Sequence, residues 1–237
     1  MLAAHMSKIL FVGGDKGGVG KSVVARLLAQ WHLDRQVPFV GVDADVSHGS
    51  LLRHYGGYTR AVDLSRLEAA DEIMTLALET DRRVIVDLPA QGDRAVAAWI
   101  SEAGILDLAR ESGIDIVFWH VMDDGRDAIA TLHRLLERHG RKARYVVVEN
   151  MGRGTDFSLF DRSPTRALAE ELGARIIHLP ELHPPAMRKI DRSDASFWAA
   201  VHNTEFAPEL FTRMDRQRIK VWMQSSYDQL ARLDESV

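Results

Sequence analysis

The chain has no cysteine. That absence excludes disulfides, thiolate zinc centres, cysteine-held iron–sulfur clusters and a cysteine nucleophile. It also fits a reducing compartment, and the cytoplasm is the expected location. No apolar run is long enough to cross a bilayer, and no secretory leader is visible. Excess positive charge is missing too. The 30 Lys and Arg residues stand against 34 Asp and Glu, a net charge of −4. Any contact with nucleic acid would therefore need a local basic patch. Internal repeats, low-complexity stretches and a convincing linker are also absent.

The remainder describes one folded unit. The 237 residues are 46% hydrophobic and 27% charged, enough for a single α/β domain over 1–237 with a sizeable core. Residues 1–5 read as an expression scar, with Met6 as the expected natural start. Short Val/Ile-rich runs at 8–13, 37–43, 83–88, 114–121, 144–149 and 174–179 predict strands buried on both faces. Amphipathic stretches at 22–34, 124–139 and 164–172 predict helices between them. The alternation implies a mainly parallel sheet with helices on both faces. Beyond Pro184-Pro185 no further strand is expected. Residues 184–237 read as a helical extension, with helices at 196–202 and 214–233. Ile219, Trp222, Met223, Leu230 and Leu233 fall roughly on one face of the second.

The most informative segment is Gly13-Gly-Asp-Lys-Gly-Gly-Val-Gly-Lys-Ser22, between the first strand and the first helix. Glycines let backbone N–H groups turn inward around phosphate oxygens, and the following helix adds its positive end. Lys21 can reach β- and γ-phosphates, and the Ser22 hydroxyl can ligate Mg²⁺. Gly14, Asp15, Lys16, Gly17, Gly18, Val19, Gly20, Lys21, Ser22 and Val23 are therefore the expected nucleotide-binding residues. The generic pattern G-x-x-x-x-G-K-[ST] is not fully met, because Asp15 occupies its first glycine position.

What stands there instead is Lys16-Gly17-Gly18-Val19-Gly20-Lys21-Ser22, with a second lysine early in the loop. This resembles the deviant Walker A family, the ParA and MinD ATPases and their relatives. The resemblance implies a P-loop fold that binds ATP with Mg²⁺ and hydrolyses it slowly. It further implies that ATP joins two copies into a homodimer and that Lys16 crosses to the partner's nucleotide.

Further motifs extend the resemblance over residues 8–181. Asp43-Ala-Asp45 is similar to the switch I motif. Asp45 would orient the attacking water near Mg²⁺, making it catalytic with Lys16 and Lys21, and Asp43 would support the metal shell. Val84-Ile-Val-Asp87-Leu-Pro-Ala-Gln91 resembles the Walker B and switch II segment, with Asp87 binding Mg²⁺ through water. A strand ending in Asn150 resembles the one whose amide reads the adenine edge. Leu179-Pro180-Glu181 resembles the loop over the base. Glu149, directly before Asn150, departs from the pattern and has no assigned role. The tail segments Phe197-Trp198 and 214–222 point toward the ParA-like groups of plasmid partition, stabilisation and conjugal transfer, such as StbB and TraL.

Each motif also has a plain reading. Asp43 and Asp45 would suit a solvated turn, Asp87 a helix cap, and Asn150 a strand-end turn. His48 and His54 read as surface or switch-region residues, and His120 and His178 as core histidines. The tryptophans read as packing residues, with Trp198 and Trp222 also able to serve a partner surface. Arg213, Arg216, Arg218 and Lys220 form either a solvated helix face or a surface for DNA without sequence preference. By resemblance, a second protein would stimulate hydrolysis.

Three functional classes compete: a nucleotide-switched dimer, an ATP-dependent metabolic ligase of the same fold (dethiobiotin synthetase or cobyrinate amidase), and an electron carrier. The missing cysteines exclude the last. Dethiobiotin synthetase lacks the early lysine, and the cobyrinate type commonly carries a cysteine-dependent glutaminase domain.

Overall fold

A computed structural model describes residues 7–14, 16–45, 48–79, 82–205 and 209–233. The expected scar and Asp15 lie outside them.

Seven strands form one sheet: β1 (Lys8–Gly13), β2 (Phe39–Asp43), β3 (Thr59–Ala61), β4 (Arg83–Asp87), β5 (Asp115–Met122), β6 (Arg144–Asn150) and β7 (Arg175–Leu179). Their order is β3-β2-β4-β1-β5-β6-β7. All six pairings are parallel. Around them run α1 (Lys21–Asp34), α2 (Ser50–Tyr55), α3 (Leu67–Glu79), α4 (Gly92–Glu102), α5 (Ile105–Glu111), α6 (Arg126–His139), α7 (Ser158–Asp161), α8 (Pro164–Glu171), α9 (Pro184–Ser193), α10 (Phe197–His202) and α11 (Arg213–Leu230). The mainly parallel α/β fold expected from the alternation is present, and the sheet is wholly parallel.

Six strands agree with the sequence pattern to within a residue or two. The seventh, β3, has only three residues, two of them exposed, so it carries no apolar signal. Helices α2 to α5, α7 and α9 were likewise not singled out by the sequence pattern.

Alternation along each strand feeds two cores. Ile9, Phe11, Val84, Val86 and Phe118 face one side of the sheet, against α3 to α6. Leu10, Val12, Ile85, Val117, Val146 and Val148 face the other, against α1 and the C-terminal helices. From α11, Ile219, Trp222, Met223 and Leu230 enter that second core, as their spacing predicts, and Leu233 packs against it partly buried. Residues 184–205 and 209–233 thus supply one wall of that core. A capping box at Thr212 and Asp215 starts α11.

Two parallel strands diverging on either side of β1 leave a crevice at their carboxyl ends, where ligands of such sheets bind. The phosphate loop, the two aspartate motifs and Asn150 all lie at that edge.

Candidate nucleotide site

The loop leaves β1 at Gly13 and ends where α1 begins. Its backbone demands glycine at particular points. Gly14 has φ +145°, and a Cβ there would sit 2.4 Å from the Val121 carbonyl oxygen. Gly20 has φ +106°, and its Cβ would meet the Asn150 amide nitrogen at 2.3 Å. Helix α1 starts without a side-chain cap and without an acid in its first turn. Its first N–H groups and positive end are the geometry that binds anions.

Lys21 is buried and donates to the Lys16 carbonyl at 2.8 Å, arching back over the loop. Lys16 turns toward the β5–α6 loop. Its ammonium lies 3.2 Å from Asp127 and 3.8 Å from Asp123.

Asp87 emerges at the end of β4, in register with Asp43 on β2. It is 1% exposed, and among the described residues neither carboxylate oxygen has a hydrogen-bond partner of ordinary geometry. Burial pushes its pKa up to about 7, and the charge of Asp43 adds to the rise. The nearby Ser22 hydroxyl, Arg26 and Lys21 pull the other way. A buried, unsatisfied carboxylate beside a loop hydroxyl is a donor set that fits a hard, oxygen-seeking divalent cation. Among the described residues no group of three or more acidic or histidine side chains is placed to hold a metal ion. So small a protein donor set suits a divalent cation that keeps several of its own waters.

Asp43 is used differently. One oxygen accepts from the Asp45 N–H at 3.1 Å and the other from the Leu52 N–H at 2.8 Å. It thereby ties the switch turn to α2, and burial raises its pKa. Asp45 accepts from the His48 N–H at 3.0 Å, and the His48 ring lies 3.4 Å from the same carboxylate oxygen. Residues 46–47 between them are outside the described chain.

Asn150 faces the phosphate loop. Its amide N–H donates to the Val19 carbonyl at 2.7 Å, and its oxygen accepts from Gly152 N–H at 3.0 Å. The side chain is a strut between β6 and the loop. Beside it opens a cavity of about 250 Å³, lined among others by Val23, Pro180, Glu181, Arg188 and Trp222. Pro180 and Glu181 thus line the same cavity as Asn150. The Trp222 indole N–H donates to the Pro180 carbonyl at 2.7 Å.

Several residues have roles the sequence did not reveal. Arg26, one turn after Ser22, is 3% exposed and bonds to His54 at 2.8 Å and Asp191 at 2.9 Å. The only signal was a charge inside the apolar run 23–29. His54 is therefore buried, not a surface residue, and burial followed by the Arg26 charge lowers its pKa to about 4. His120 is buried as expected. His178 is not: its side chain is 58% exposed and pairs at 2.7 Å with Glu149, its register partner across β6–β7. That pairing gives Glu149 a structural partner. Trp222 is 4% exposed and belongs to the core rather than to a partner surface, whereas Trp198 is 48% exposed.

The α11 cations do not form one patch. Arg216 turns inward to the Ala200 carbonyl and lies over the Phe211 ring. By helical spacing, Arg213 and Lys220 share one edge and Arg218 lies well round the helix from them.

A wholly parallel sheet of this order, with a glycine-rich loop between β1 and α1, is a P-loop α/β fold. No family model matches the chain. It is similar to protein TraL of Escherichia coli, 25% identical over 246 aligned positions covering 95% of this chain and 98% of TraL. It is 24% identical to protein MobD of Acidithiobacillus ferrooxidans, over 73% of this chain and 78% of MobD. Among solved structures, the MinD cell division protein of Aquifex aeolicus has the same fold, with TM-score 0.51 at 15% identity, covering 95% of this chain and 97% of MinD. The septum site-determining protein MinD of Pyrococcus horikoshii, solved with Mg-ADP, gives TM-score 0.51 at 17% identity over 95% and 98%. No helix among the described residues is long and apolar enough to cross a membrane.

Proposed function

We propose that the chain binds ATP with Mg²⁺ in the phosphate loop, hydrolyses it slowly and switches between monomer and ATP-bound homodimer. The observation that carries this reading is the buried, unsatisfied Asp87 carboxylate beside Ser22, at the mouth of a loop whose backbone tolerates only glycine at Gly14 and Gly20.

The loop amides from Gly17 to Ser22 and the end of α1 receive the phosphate oxygens. Lys21 swings from the Lys16 carbonyl onto the β- and γ-phosphates. Ser22 and Asp87 would hold Mg²⁺, which would supply charge neutralisation to the phosphates, and Asp43 would support that shell by fixing the turn. Asp45 orients the water that attacks the γ-phosphorus as the bond to the leaving β-phosphate oxygen breaks. Lys16 leaves Asp123 and Asp127 to reach the nucleotide of the second copy, so the interface lasts only while the γ-phosphate does. The cavity at Asn150 and Pro180 takes the base.

The test is light-scattering mass measurement with ADP, ATP and a non-hydrolysable ATP analogue, beside calorimetry and phosphate release. Dimer with the analogue, monomer with ADP, and loss of ATP binding in Lys21→Ala are expected. Unchanged ATP affinity in Lys21→Ala overturns the phosphate-loop assignment.

A further inference from the structure

At the opposite end of the sheet from the phosphate loop, two clefts of about 320 and 650 Å³ open beside the amino ends of β5 and β6. They share Leu106, Asp107 and Lys142, so they form one bipartite groove. Six cations line it: Arg94, Arg110, Arg138, Arg141, Lys142 and Arg144. Only two carboxylates do, Asp107 and Asp115. His139 adds no charge near neutrality, because burial lowers its pKa to about 4. In a chain of net charge −4, this groove is a marked concentration of positive charge.

The cations are available. The ion pairs there, Arg110 and Lys142 with Asp107, Arg144 with Asp115 and Arg141 with Glu171, all lie at 3.4–3.5 Å. Pairs this long and solvated hold their partners weakly, so an incoming carboxylate can replace them. Apolar side chains share the lining with these cations, Leu106, Ile114 and Ile116 in one cleft and Ala97, Ala98 and Ile100 in the other. No Phe, Tyr or Trp lines either cleft, and the His139 ring is buried in a stack with Phe118, so single-stranded bases find no open platform. Concave clefts lined by apolar side chains and an excess of cations suit apolar anchors flanked by carboxylates.

We propose that this groove docks an acidic amphipathic segment of a partner protein. It lies away from the nucleotide site, so docking is independent of the nucleotide reading above.

The test uses the full chain and a fluorescein-labelled 16-residue peptide of Glu and Asp with Leu at every third or fourth position, read by anisotropy. Binding is expected to weaken by about tenfold or more in Arg110→Ala/Arg141→Ala/Lys142→Ala. It should also weaken about tenfold between about 50 and 200 mM salt. Arg213→Ala/Lys220→Ala, on the far helix edge, should bind as the wild type does. Hydrogen exchange should show protection at residues 105–116 and 138–144. The triple variant must keep wild-type melting, which confirms its fold. Equal binding by the triple variant overturns the proposal. So does equal binding of the same peptide with Lys for its acids, of the peptide with Gly for Leu, or of a 20-base-pair DNA duplex that displaces it through the same residues. An absence of peptide binding overturns it too.

Discussion

Asn150, the last residue of β6, donates its amide N–H to the carbonyl of Val19 in the phosphate loop at 2.7 Å. Because Gly20 next to it leaves no room for a Cβ against that amide, loop and strand are locked in one register. The side chain that the sequence pairs with the base thus shapes the loop first.

A strut and a base reader fail differently. Asn150→Ala would leave a buried carbonyl unsatisfied, worth about 1–3 kcal/mol. ATP and GTP affinity should then fall by similar factors, because the phosphates lose their cradle. Calorimetry with both nucleotides decides it. Loss of ATP binding with GTP binding unchanged would make base reading the dominant role.

Trp222 makes the corresponding contact on the far wall. Trp222→Phe keeps an aromatic ring against Phe197, whose centroid is 5.0 Å away, but removes the donor to Pro180. We expect ATP affinity to drop about five- to tenfold, an unsatisfied carbonyl's cost, with helical content unchanged by circular dichroism. Wild-type affinity in this variant would show that α11 does not shape the base cavity.

How much of this was legible in the sequence follows from where the signal was local. Buried parallel strands are continuous apolar runs, so six of seven stood out. The loop glycines announced themselves because few other backbones need so many. The short, exposed β3 had no pattern to read. Arg26 and His54 are 28 positions apart, and His178 and Glu149 meet only through strand register. No spacing rule reaches such partners. Asp123 and Asp127 were invisible as Lys16 partners for the same reason.

Asp215 gives the tail a pH signature. Burial alone would raise its pKa, but hydrogen bonds from Lys189 and Thr212 and the Lys189 charge outweigh that and hold it at about 2. A carboxyl depressed on folding stabilises the fold above its unfolded pKa of 3.8 and loses that contribution as pH falls toward about 2. The shift corresponds to roughly 2–3 kcal/mol. Asp215→Asn should lower Tm at pH 7, and the gap to wild type should narrow between about pH 4 and 2. A gap that is independent of pH would show that the charge of Asp215 is immaterial.

The Lys16 ammonium is held at Asp123 and Asp127, contacts it would leave to reach a second copy in the proposed dimer. Lys16→Ala should bind ATP within about threefold of wild type yet stay monomeric with the non-hydrolysable analogue. Asp127→Asn weakens the hold on the ammonium and should dimerise at lower ATP concentration. Normal dimerisation and turnover in Lys16→Ala would remove the crossing role from this lysine.

Asp45 separates binding from chemistry. Its carboxylate accepts the His48 N–H in its own turn, and its backbone N–H donates to Asp43. Removing it should spare the loop, Lys21 and Lys16, so ATP binding and dimer formation should persist. Hydrolysis should fail, because a water that is no longer oriented loses part of its in-line alignment, typically about 10²-fold or more in rate. Asp45→Ala is therefore expected to accumulate as an ATP-bound dimer with Mg²⁺, while wild type returns to monomer. Asp87→Ala should differ, since it removes a cation ligand and weakens the Mg²⁺ dependence of binding itself. Size-exclusion chromatography run beside phosphate release distinguishes the two. An Asp45→Ala variant that stays monomeric, or that releases phosphate at the wild-type rate, would reduce Asp45 to an ordinary turn residue.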